Sequence, residues 1–191
     1  MLSAPRHKPK EQKLNINQDL ITKAWLFASR AHKEQKYPGE ELPYITHIGN
    51  VALEVMSIAN TLSNPNLAIC CAILHDTIED TDITYEDIYK EFGKDIANGV
   101  NALSKDKTLP KDKQMTDSLN RILQQPKEVW VVKMADRVSN LGKPPHYWSL
   151  EKKMQYQNEA ELILKELQNA NQEIAQRLKN KIENYSRYFK E

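Results

Sequence analysis

Two cysteines in 191 residues, adjacent at Cys70 and Cys71, leave no material for a disulfide framework or a thiolate zinc site. Glycine is scarce as well. Its five copies are scattered, so the chain has no glycine-rich loop ahead of a helix in which backbone amides would cradle a phosphate. Neither sign of charge dominates: 27 Lys and Arg against 26 Asp and Glu give a formal net charge of +1. That balance supplies no long-range field to gather nucleic acid or an anionic membrane, and neither is expected as a partner. No run is long and apolar enough to span a bilayer, and residues 1–14 are basic, proline-bearing and polar, without the apolar centre of a signal peptide. These absences point to the reducing cytoplasm, a disordered tail over 1–14, and a single compact domain over 15–191.

What is present is helical periodicity almost throughout. Apolar residues recurring every three to four positions predict helices over 18–36, 48–61, 66–78, 85–92, 94–104, 113–124, 127–141, 150–168 and 171–189. Thr84 with Asp87 has the form of a capping box and Gly93 that of a helix stop, while Pro126 and the pair Pro144 and Pro145 mark chain breaks. No alternating strand run and no internal repeat occurs, so the fold class is an all-α bundle. Trp25, Trp130 and Met134 lie on apolar stripes and read as core. In the last two helices, over 149–189, Leu162, Ile163, Leu167, Ile174, Leu178, Ile182, Tyr185 and Phe189 form a stripe. That stripe suits a helical hairpin packed on the bundle, and equally the face of a homodimer.

One segment breaks the rule that charge stays in water. The run LAICCAILHDTIEDTD over 67–82 is apolar enough to be buried all round and then carries His75, Asp76, Glu79 and Asp80. A carboxylate taken out of water costs several kcal/mol unless a cation, a partner or solvent is within reach. Read as a helix, the run puts His75 and Glu79, and Asp76 and Asp80, one turn or about 5.4 Å apart. His75 and Asp76 can then reach one ion, with two more carboxylates just beyond it, where a water attacking a bound substrate would lie. A second apolar run, VWVVKMADRVSNL over 129–141, carries Lys133, Asp136, Arg137 and Asn140, and places Asp136 and Asn140 on one helix face. In PYITHIGNVA, over 43–52, His47 stands near a helix start. Each has an ordinary alternative when taken alone. His47 suits a cap, Asp136 a partner for Lys133 or Arg137, and Asn140 a helix end before Gly142. Lys36, Lys133 and Arg137 equally suit surface or ion-pairing roles. The stretch SKDKTLPKDKQ over 104–114 reads mostly as a solvated connection, with the alternative that it borders a pocket and meets phosphates.

At these residues the chain resembles the HD-domain metal-dependent phosphohydrolases, and within them the hydrolase domain of the RelA/SpoT alarmone enzymes and their small stand-alone relatives. The resemblance runs through AHKEQKYPGEELPYITH, ILHDTIEDT, YEDIYKEFG and KMADRVSN, and covers roughly 19–141. It implies an HD-domain helical bundle, with His47, His75, Asp76 and Asp136 as metal ligands. Glu79 and Asp80 would orient or deprotonate the attacking water, and Asn140 would stand on the nucleotide side. Lys36, Tyr37, Lys133 and Arg137 are candidate substrate contacts, and the mixed ligand set suits Mn²⁺, with other divalent metals open. The implied reaction is removal of the 3′-pyrophosphate of (p)ppGpp, and at this length there is no room for the family's synthetase domain, so degradation alone is expected. Departures from the pattern keep other substrates open. Lys36, Tyr37, Pro38 and Gly39 stand where the family has Arg-Lys-Ser-Gly, its base-contacting Arg has no equivalent, and Ser139 replaces a common His. A lysine holds a phosphate without stacking on a base. A nucleoside monophosphate or NADPH is therefore an alternative substrate. A non-catalytic alarmone sensor is a third reading, against which the retained Glu79 and Asp80 weigh.

Overall fold

The computed structural model describes residues 15–190, which lie outside the 1–14 tail whose disorder the composition suggests. Among the described residues the only strand-like feature is an isolated bridge between Lys36 and Pro43, and the rest is helix and loop. Helix α1 (Gln18–Ala31) starts on Asn17, whose side chain accepts from the Leu20 N–H. It stops short of the predicted end at 36. His32 is its last capped position, and the proline at 38 disfavours helix for the residue before it, so residues 36–43 fold back on themselves. Helix α2 (Ile45–Ser57) turns Ile48, Val51, Ala52 and Val55 inward and carries His47 in its first turn.

Helix α3 (Pro65–Leu74) opens with proline in its first turn and an Asn64 cap, and every residue over 67–74 is buried. Buried all round, it forms the axis of the bundle, in contact with α1, α2, α6 (Lys94–Leu103) and α8 (Lys127–Asn140). The sequence read this helix as continuing to 78, with the Glu-Asp pair on its next turn. Instead it ends at Leu74 and a one-turn helix, α4 (Thr77–Asp80), follows. Side chains cause the break. His75 Nδ1–H donates to the Ala72 carbonyl at 2.8 Å and Thr77 Oγ1–H to the Leu74 carbonyl at 2.6 Å, competing for acceptors that a continuing helix would use.

Helix α5 (Tyr85–Phe92) shows the capping box between Thr84 and Asp87 in full, and Gly93, at φ +83°, turns the chain into α6. Helix α7 (Lys111–Leu123) and then α9 (Leu150–Leu167) and α10 (Gln172–Tyr185) complete the order. The last two form the expected hairpin. Ile174, Leu178, Ile182 and Tyr185 are buried and α10 packs on α8 and α9, so most of the stripe packs within the chain. Met134 is core as read, but Trp25 is 37% exposed and walls a surface groove with Leu53 and Met56, because α1 turns Ala24 and Ala28 inward instead.

Helix α6 approaches α3 and α8 so closely that a Cβ on Gly99 would stand 2.6 Å from Cys71 Sγ and 3.0 Å from Val129 Cγ2. Gly99→Ala is therefore expected to destabilise by about 1–3 kcal/mol and to lower the melting temperature by roughly 5 °C. An unchanged melting curve would mean that α6 is free to shift.

Candidate metal centre

Three elements bring the ionisable residues together: the first turn of α2 supplies His47, the break between α3 and α4 supplies His75 and Asp76, and the last turns of α8 supply Asp136. His47 Nε2 and His75 Nε2 are 3.3 Å apart. Asp76 Oδ2 lies 2.9 Å from His75 Nε2 and 3.6 Å from His47 Nε2, and Asp136 Oδ1 lies 3.9 and 3.4 Å from the same two atoms. Two ligands each about 2.1 Å from one ion, at 90–109°, stand about 3.0–3.5 Å apart. Two imidazole nitrogens and two carboxylate oxygens at these separations thus fit a divalent cation, and the donor atoms of His47, His75 and Asp136 all lie within 4.8 Å of one another.

Each of these four residues also has a partner outside the cluster. Donation from His75 Nδ1 to Ala72 fixes the tautomer that turns Nε2 inward, and Ser139 Oγ lies 3.3 Å from His47 Nδ1. Tyr44 donates its hydroxyl to Asp76 Oδ2 at 2.6 Å. Asn140 Nδ2 donates to Asp136 Oδ1, and Lys133 Nζ lies 3.3 Å from Asp136 Oδ2. Sequence reasoning missed Tyr44 although it lies inside the PYITH segment, and it noticed Ser139 only as a departure.

Glu79 and Asp80 project from α4 and are fastened by the loop after α6. The Lys105 backbone N–H donates to Glu79 Oε2 at 2.8 Å, and the Lys107 ammonium donates to Asp80 Oδ1 at 3.1 Å and to the Glu79 carbonyl. Gln35 reaches the Asp80 carbonyl from the other side. The segment over 104–114 is thus no mere solvated connection, since it grips both carboxylates.

The remaining candidates separate in space. Tyr37 and Asn140 line a recess of about 200 Å³ beside His47, with Tyr44, Trp148 and Tyr156. Lys36 lies outside that wall, exposed and paired with Glu41. Lys133 is turned to Asp136, and Arg137 is buried, its guanidinium 3.9 Å from the Tyr156 ring centre and 3.3 Å from Glu159. A second recess, of about 420 Å³, is lined by Glu79, Lys105, Lys107 and Arg121.

Charge in the cluster is strongly coupled. Burial works against a cation at His75, but the touching Asp76 carboxylate, aided by Asp136 and the Ala72 carbonyl, outweighs it and raises His75 to about 9. Burial would also raise both aspartates, yet His75 holds Asp76, and Lys133 with the two histidines holds Asp136, well below the usual carboxylate range. Because the folded value of His75 exceeds its ordinary 6.5, its protonation contributes stability that is complete below about pH 6.5 and is lost as pH rises through about 9. Chelator-treated protein is expected to melt progressively lower between these limits. With a divalent ion bound, Nε2 carries no proton and the dependence should vanish. Parallel pH curves with and without the ion would contradict this.

The HD domain family model matches residues 24–179. Guanosine-3′,5′-bis(diphosphate) 3′-pyrophosphohydrolase MESH1 of Xenopus tropicalis is 33% identical over 157 residues, 80% of this chain and 87% of that protein. The Homo sapiens protein of the same name is 31% identical over 159 residues, 81% of this chain and 88% of that protein. A solved structure described as a metazoan orthologue of SpoT that hydrolyses ppGpp superposes with a TM-score of 0.78 at 25% identity, over 88% of this chain and 97% of that one.

Proposed function

This chain belongs to the HD-domain family, and on that premise we propose that it removes the 3′-pyrophosphate of (p)ppGpp by metal-assisted hydrolysis. One observation carries the reading: both histidine Nε2 atoms converge with oxygens of Asp76 and Asp136, in a chain aligned over most of the length of relatives named as 3′-pyrophosphohydrolases. His47, His75, Asp76 and Asp136 would hold the cation, and the mixed nitrogen and oxygen set suits Mn²⁺. When bound, such an ion neutralises charge on phosphoryl oxygens and acidifies water. Glu79 and Asp80 would orient the attacking water and one of them, Glu79, would take its proton, both carboxylates being held in place by the Lys105 N–H and the Lys107 ammonium. Water oxygen bonds to the phosphorus joined to the 3′ oxygen, the P–O3′ bond breaks, and its electron pair leaves with O3′, which takes up a proton. From ppGpp the products are GDP and pyrophosphate.

Cys70 and Cys71 support a reducing, cytoplasmic setting. Both thiols are free and buried, and burial lifts Cys70 to about 12 and Cys71 higher, so neither is a thiolate near neutrality.

A panel with added Mn²⁺ tests the substrate: ppGpp, its adenine counterpart, NADPH and nucleoside monophosphates. Turnover of the two 3′-pyrophosphorylated nucleotides is expected to lead the panel, with guanine preferred over adenine by less than about tenfold. Lys36 is engaged by Glu41, and the recess offers Tyr37 in place of a base-stacking guanidinium. Faster turnover of NADPH or a monophosphate would overturn the alarmone assignment. A guanine preference above about a hundredfold would show that another residue of the recess, such as Asn140 or Tyr37, reads the base by hydrogen bonding.

A further inference from the structure

Arg121, which projects from α7 and makes no approach to the ion ligands, spends its whole guanidinium on one task. Nε and Nη2 lie 2.9 and 2.8 Å from Asp117 Oδ2, one turn back on the same helix. Nη1 donates to the Asn101 and Ala102 carbonyls at 2.6 and 3.2 Å, and Nη2 donates to the Ser104 carbonyl at 2.7 Å. Every donor of the fork has an acceptor, so nothing remains for a substrate phosphate. Three of these acceptors are carbonyls at the C-terminal end of α6, which no intrahelical N–H reaches.

The Ser104 carbonyl and the Lys105 N–H are the two ends of a single peptide unit, planar by resonance. Arg121 holds the oxygen end at 2.7 Å, and the N–H end donates to Glu79 Oε2 at 2.8 Å. A cation on the carbonyl oxygen draws density along the amide and strengthens the N–H as a donor, while the rigid plane fixes its direction. Two residues further on, the same loop delivers the Lys107 ammonium to Asp80.

We propose that Arg121 is a positioning residue for the hydrolysis, acting on Glu79 through the Ser104–Lys105 peptide plane. It aims and polarises the donor that holds Glu79 against the attacking water. This inference rests on Glu79 acting on that water, and a double-mutant cycle separates the two claims. Variants are Arg121→Ala, Glu79→Gln and the double variant, assayed with ppGpp and Mn²⁺, with metal content and circular dichroism recorded for each. Arg121→Ala is expected to lower kcat roughly tenfold with KM and metal content unchanged. In the Glu79→Gln background the same change should cost less than about twofold, since the group it positions has lost its role. Millimolar guanidinium should restore part of the Arg121→Ala loss. Arg121→Lys keeps the charge without the fork and should fall between Ala and wild type, and it serves the same cycle if the alanine variant does not fold. An equal loss in both backgrounds, or wild-type kcat in folded Arg121→Ala, would overturn the relay. Wild-type kcat in Glu79→Gln would instead overturn the role of Glu79.

Discussion

Glu79→Gln is expected to keep its metal and to lose roughly two to four orders of magnitude of kcat. The amide is close in size to the carboxylate and can still accept from the Lys105 N–H, so the α4 turn should hold its place. What disappears is the basic oxygen that takes the proton from water. Glu79 is a candidate for this step because it stands on α4, one turn beyond the proposed ligands His75 and Asp76, while its side chain is engaged by Lys105. Asp80→Asn should also lose kcat, and it weakens the pairing with Lys107. Metal analysis beside steady-state kinetics checks the assignment. Loss of the ion in both variants would move these residues among the ligands.

Asp136→Ala should do the opposite, removing the ion, the activity and much of the stability together. The carboxylate is buried in the last turns of α8, where it gathers Lys133, Asn140 and both histidines. Its loss strands the Lys133 ammonium, whose side chain is only 7% exposed, in a low-dielectric interior. Breaking one partner out of a buried pair costs about 3–5 kcal/mol, which for a chain of this size lowers the melting temperature by roughly 10 °C. Chelation of the wild type should give a smaller fall, reversed by Mn²⁺, because the residues that the ion joins come from three separated elements. Calorimetry with and without chelator separates the two contributions. A stable, metal-bound Asp136→Ala would contradict the placement of this residue at the centre.

The clustered His and Asp residues and most of the helices were legible in the sequence because they disturb or follow simple patterns. His75 and Asp76 end an apolar run where charge has no business without a partner, and the 3.6-residue period marks α2, α3, α8 and the terminal hairpin. The break at His75 was hidden, since it depends on side chains taking the Ala72 and Leu74 carbonyls and not on a proline or glycine. Contacts across the chain left no local trace. Tyr44 meets Asp76 from 32 residues away, Lys105 meets Glu79 from 26, and Arg121 reaches Ser104 from 17, two of them through backbone groups that every residue type possesses. Trp25 misled for a related reason: the apolar stripe of α1 is real, but the helix is rotated so that its alanines face the core. Lys36, Lys133 and Arg137 were singled out by their place in the resembling segments and by charge, neither of which says that Glu41, Asp136 and Glu159 are the acceptors beside them.

The most direct measurement is a product analysis of ppGpp incubated with the metal-loaded chain, by anion-exchange separation of nucleotides with a parallel pyrophosphate assay. GDP and pyrophosphate should appear in equal amounts, stop on addition of chelator and resume with Mn²⁺. Turnover that ignores the chelator, release of orthophosphate in place of pyrophosphate, or an inert ppGpp beside rapid cleavage of an unrelated phosphoester would contradict the account.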